Sequence, residues 1–309
     1  MMKLIPSLSC AGLLLAAARL FAASALPADP ALTQLALDNL HAVVANNHDL
    51  PRLHAAEDLA ILGDPDPLAV IRGDVPTLVT QPIFRIVTWR VQARAAAFAG
   101  RSMEPQTQKI VEIFFTTPDT PDRVNAAETL GKLGYNPPAA EAARFREVAE
   151  TTHNPLLAMH ARWVLAGNGK KAEEQALAAF LTDKDAKVRG DAAYALRFRP
   201  HVRTETRELL IAAAEREPAG SEARSYLYAS AAYHATPAER PALLRELEKY
   251  AKSGNGDEKY ETMNVIALVG GTAELPLLRK YLAPPLPYID ADADVRVAAA
   301  NAILHIQRR

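Results

Sequence analysis

The sequence predicts an all-α protein made of stacked helix pairs, and three observations predict it. A short pattern of small and apolar residues returns along the chain. Its period matches a two-helix unit. The stretches between copies place apolar residues three and four positions apart, which is helical spacing. The clearest copy is DAKVRGDAAYALR at 185–197, and VRVAAANAI at 295–303 repeats VRGDAAYAL at 188–196 almost position for position. Arg189 meets Arg296, Ala192 and Ala193 meet Ala299 and Ala300, and Leu196 meets Ile303.

The chain opens differently. Residues 1–25 carry Lys3, an apolar run and a small-residue ending at Ala23–Ala25, the pattern of a cleaved secretory signal. The run is too short for a spanning helix and Arg19 interrupts it. Cleavage there removes Cys10, the only cysteine, and leaves 33 basic and 36 acidic residues. The mature chain, 26–309, then has no thiol for a disulfide, a nucleophile or a metal. It is expected to be periplasmic or secreted, with no membrane span.

Residues 29–62 predict the first helix pair, PALTQLALDNLHAVVA followed by PRLHAAEDLAIL. The stretch from 63 to 100 reads as an irregular unit, rich in Pro, Asp and Gly at first and then strongly helical. From 106 onwards six units follow. The first position of the paired small slots falls at 126, 160, 192, 227, 262 and 299, at intervals of 34, 32, 35, 35 and 37. One pair cannot bury its apolar face alone, so the pairs are expected to stack into one continuous solenoid of seven to eight units.

The unit D-x-x-V-R-x-x-A-A-x-A-L, preceded by an apolar helix, resembles the HEAT repeat, most closely the short bacterial type of phycobilin-lyase-like proteins. That resemblance implies a right-handed superhelix of the HEAT/armadillo kind, with the VR helix on the concave face. It also implies structural roles for Arg189 and Arg296, each bonded to neighbouring turn acids. Asp185 and Asp294 are expected near the caps of their helices.

Catalytic chemistry is hard to find. The eight His residues form no H-E-x-x-H, and G-x-S-x-G is absent. His41, His48 and His54 share the first pair but point to no metal. The DADAD stretch at 290–294 lacks the Gly and Glu of a calcium loop. No catalytic residue, cofactor or metal is expected. Nucleic acid is disfavoured by the slightly acidic mature chain.

Solenoids of this kind imply protein or peptide binding, and the inner row beside the paired slots supplies the candidate surface: Arg162, Tyr194, Arg197, Tyr226 and Asn264. Trp89 and Trp163, the only tryptophans, are candidate anchors. The insertion APPLPYID at 283–290 is a second candidate surface. The expected function is an extracytoplasmic scaffold that binds a protein or peptide. The alternatives are a structural subunit of an envelope or secretion complex and, third, a solenoid enzyme or carbohydrate binder, which an aromatic row beside acidic residues would favour.

Overall fold

The computed structural model describes residues 29–64, 82–167, 169–282 and 292–309. The signal-like segment, the stretch 65–81 and the 283–290 insertion lie outside the described residues. Among the described residues there are fifteen α-helices and no strand, so the protein is all-α. They are α1 (Pro30–Asn46), α2 (Leu50–Ile61), α3 (Pro82–Phe98), α4 (Glu104–Thr116), α5 (Pro121–Lys132), α6 (Ala139–Thr151), α7 (Pro155–Ala166) and α8 (Lys171–Ala178). After a 3-10 turn come α9 (Ala186–Arg197), α10 (Thr204–Arg216), α11 (Ala223–His234), α12 (Arg240–Ser253), α13 (Gly256–Val269), α14 (Leu275–Arg279) and α15 (Ala293–Gln307).

Local chemistry sets the helix ends. Asp185 caps α9, its carboxylate accepting from the Lys187 amide at 2.8 Å. Asn154 caps α7 through the Leu156 and Leu157 amides. Asn255 and Glu258 form a reciprocal capping box at α13. Proline sits in the first turn of α1, α2, α4, α5, α7 and α12, where no amide donor is missed. At the far end of α5, Gly134 takes a φ of 63° and the Tyr135 amide reaches back to the Leu130 carbonyl at 2.9 Å. That stops the helix in the left-handed manner glycine allows.

The helices form two layers. An inner circuit runs α2, α3, α5, α7, α9, α11, α13 and α15, each packed on the next. The outer layer is made of α1, α4, α6, α8, α10, α12 and α14, each packed on one or two inner helices. The circuit is closed, because α15 packs on both α2 and α1. One core cluster accordingly joins Leu40, Val43 and Leu59 from the first pair with Val297, Ala300 and Ile303 from the last helix. Polar contacts tie the same seam: the Asp29 amide donates to Gln307 at 2.7 Å, and His54 Nδ1 lies 2.9 Å from Asp294. An open superhelix does not bring its first and last units together; here the inner row curves back onto itself.

The paired small slots do what close packing requires. Ala192, Ala193 and Leu196 are fully buried, as are Ala299, Ala300 and Ile303. Glycine goes further at one site. A Cβ on Gly131 of α5 would stand 2.4 Å from Trp163 of α7, so only glycine admits that indole. In α7 the repeat register differs from the sequence alignment by one residue. Asn154 caps α7 as Asp185 caps α9, which sets His160 opposite Asp191, Trp163 opposite Tyr194, and Ala161–Arg162 in the paired slots.

Candidate functional site

Several units contribute side chains together to the inner wall. Three contacts there skip a helix. Lys132 of α5 lies 5.2 Å from the Tyr194 ring of α9. Arg197 of α9 pairs with Glu261 of α13. The His54 ring of α2 is 5.7 Å from the Tyr260 ring of α13. Such contacts need a concave interior, which closure provides. Their positions follow the repeat: His54, His160, Asp191, Tyr226 and Glu261 stand just before the paired slots, and Glu57, Glu128, Trp163 and Tyr194 just after them.

Carboxylates on this wall are matched with cations. Glu57 accepts from Arg90 at 3.0 Å and Arg94 at 2.7 Å. Burial works to raise the Glu57 carboxyl, but the two guanidinium groups outweigh it and hold it at about 2. Glu128, bound by Lys132 at 2.7 Å, is held at about 2 by the same contest. Burial conversely lowers Lys132. Asp191 is different. Burial pushes its carboxyl up to about 6, and Lys187 at 3.6 Å only partly offsets this. Asp58 is pushed well above the carboxylate range by burial and by the neighbouring Glu57 charge. Burial takes His160 down to about 4, so it is neutral at pH 7.

The wall is nevertheless reached by water. The Glu128 side chain keeps 27% of its accessible surface and Asp191 keeps 22%, although burial is the largest influence on both. Groups that are partly accessible yet strongly desolvated line a recess, not an outer surface. Tyr194, Tyr226 and Tyr260 are half-buried on the same wall, and burial raises the phenol of each.

The sequence-derived candidates separate on this geometry. Tyr194 and Tyr226 stand on the inner wall with ring centroids 6.2 Å apart. Arg197 is also there but buried against Glu261, with its guanidinium 4.8 Å from the Tyr194 ring. Trp163 is buried in the core, edge-on to Tyr194 at 5.9 Å. Arg162 leaves the inner row: in the register set by the Asn154 cap it occupies a paired slot, and it reaches Glu150 of α6 and Glu173 of α8 in the outer layer. Trp89 also faces outward, 5.5 Å from Lys109 of α4. Asn264 is half-buried on α13. Arg189 bonds Glu217 at 2.9 Å and the Asp183 carbonyl at 2.7 Å, a tie between turns. Arg296 reaches Asn39 of α1 at 3.4 Å, and burial brings its guanidinium down to about 10. Asp294 lies inside the first turn of α15, after the cap position Asp292, and its partner is His54.

His41, His48 and His54 are not gathered: His41 pairs with Asp64 at 3.1 Å and His54 with Asp294. Among the described residues no group of three His, Cys, Asp or Glu is placed to hold a metal ion, and no helix is long and apolar enough to cross a membrane. Sequence motifs alone do not single out Glu57, Asp58, Glu128, Asp191 and Tyr260. Glu57 and Glu128 follow the paired alanines as Tyr194 does, so the repeat register itself carries the signal for them. Comparison of the chain with protein-family models, curated proteins and solved structures returns no match.

Proposed function

We propose that this chain is a helical-repeat scaffold of the HEAT type, a right-handed superhelix drawn round until its ends meet, which acts outside the cytoplasm and holds a protein or peptide partner. The carrying observation is a groove of about 330 Å³ between the outer helices α8 and α10. It is floored by Ala178, Leu181 and Leu209, and Arg203 and Arg216 flank it. Leu209 is 45% exposed, and together with Ala178 and Leu181 it gives the groove an apolar floor. An apolar side chain on the partner would fit this floor, beside a rim that carries Glu205 as well as Arg203 and Arg216. A constitutive partner would make the same chain a structural subunit of an envelope complex.

The test is crosslinking capture from intact cells with the full chain and with Leu209→Glu. The expected result is a partner that the variant loses while its helical circular dichroism is unchanged. Equal recovery by both chains overturns the groove. Export is read separately: the soluble protein should begin at Leu26, and an intact Met1 terminus overturns the signal assignment.

A further inference from the structure

We propose that Arg308 and Arg309 form a clasp that holds the ring shut, and that the seam between α15 and the first helix pair is the joint at which the ring opens once the clasp is released. From α3 to α15 each inner helix is joined to the next through one outer helix. The seam has no such link: α15 and α2 stand at opposite ends of the described chain and meet across space. The inference rests on closure of the ring and not on the partner groove, which lies between α8 and α10.

The parallel inner helices gather their C-terminal ends at one mouth of the ring. Each end carries unpaired carbonyls and a partial negative charge. Side chains from neighbouring helices satisfy them in turn. Arg199, just past α9, donates to the Ala166 carbonyl that ends α7. His234 Nε2 of α11 lies 3.0 Å from the Leu196 carbonyl of α9. Arg94 of α3 donates to the Lys132 carbonyl of α5 at 3.5 Å.

At α15 the same device works in both directions. Arg309 donates to the Leu268 and Ala267 carbonyls of α13, each at 2.8 Å, and to the His305 carbonyl of its own helix at 3.3 Å. Arg308 donates across the seam to the Leu62 carbonyl at the cap of α2, at 2.9 Å. One arginine anchors the clasp and the other closes it. Beside them, the Asp29 amide donates to Gln307 at 2.7 Å.

These ties differ from the rest of the inner row in how they can be undone. Arg308 and Arg309 lie exposed at the rim, and their acceptors are backbone carbonyls. Water can replace such bonds at little cost. Breaking Arg197 from Glu261 instead strands a buried charge. Release of the clasp leaves the seam to the His54–Asp294 pair, the Asp29–Gln307 bond and the apolar contact of Leu40 and Val43 with Ile303. Opening there gives a polypeptide lateral access to the inner wall, which a permanently closed ring denies.

The test is amide hydrogen exchange, read by mass spectrometry, on the full chain, on the double variant Arg308→Ala with Arg309→Ala, and on Arg199→Ala. In the double variant, exchange should rise about 10-fold across both α1 and α2, the size expected when charge-assisted bonds at an exposed site are lost. Helices α7 and α9 should keep the parent's rates. In Arg199→Ala the rise should centre on α7 and α9, which α8 still links, and leave α1 and α2 unchanged. Arg308→Ala alone should repeat the first pattern at smaller size, and it decides the matter if the double variant does not fold. Unchanged exchange in α1 and α2 overturns the clasp. A rise confined to the last turn of α2 also overturns it, because that is local fraying and not an opened seam. So does an equal rise in every helix, which is general destabilisation.

Discussion

Buried charge is handled in two ways in this protein. In the outer layer, acids are tied to arginines of adjoining turns. Glu174 of α8 accepts from the Arg203 amide at 2.9 Å and from Thr206 at 2.7 Å, and Glu217 takes Arg189. Such ties join neighbours and would serve equally in an open array of any length. On the inner wall, Arg197 reaches past α11 to Glu261, and His54 of the first pair meets Asp294 of the last helix. These contacts exist only if the row is strongly curved or closed. The outer charges therefore report on units, and the inner ones on the ring.

The comparison can be broken most directly at Arg197. Arg197→Ala leaves Glu261, 2% exposed, buried without its cation, and should cost about 3–5 kcal/mol in urea unfolding. Pairing Arg197→Met with Glu261→Leu should restore most of that loss. A cost below about 1 kcal/mol for the single change would mean that the two residues do not meet. Next is Gly131→Ala, whose methyl would collide with Trp163; about 1–3 kcal/mol and an altered near-ultraviolet circular dichroism of the indole are expected.

Asp191 sharpens the contrast through pH. Its folded pKa of about 6 lies above the ordinary 3.8, so the folded state holds the proton more tightly than the unfolded one. Stability from this group is full below the ordinary value and is lost as pH rises through about 6. Asp191→Asn should therefore stabilise the protein by about 1–2 kcal/mol at pH 8 and by almost nothing at pH 4. A melting-temperature difference independent of pH would contradict the burial assigned to it. The smallest effect belongs to the outer layer. Arg189→Ala should cost about 1 kcal/mol, since Ser221 still donates to Glu217, and hydrogen exchange should rise only around α9 to α11.

Much of the architecture is written locally. The Asp185 cap, the paired alanines and the Pro- and Gly-bounded turns each act within a few residues, so the helices and their pairing are legible from periodicity. Closure is not, because the contacts that make it join residues 29–62 to 292–309 and leave no periodic trace. Register is legible only where the pattern is strong. At 155–166 the paired slots hold Ala161 and Arg162, and the long side chain in the second slot hides the pair, so the sequence pattern places Arg162 on the wall and His160 in the core. Glu57 and Glu128 were within reach of the same rule that marks Tyr194. Their burial on a shared wall depends on the ring, so they read as ordinary solvated acids. Trp89 shows the converse. Its size suggests an anchor, but only the position of α4 shows that it faces Lys109.

The seam between α15 and the first helix pair changes the arithmetic of the repeats. In a linear stack the end units have one neighbour each, fray first, and need polar caps. Where the last unit rests on the first, every inner helix has two neighbours, and no unit is the natural place for unravelling to begin. Removing any one unit opens two interfaces and also changes the circumference the others must span. A loss or gain of one helix pair, which an open array absorbs as a change in length, would here alter the curvature of every remaining seam.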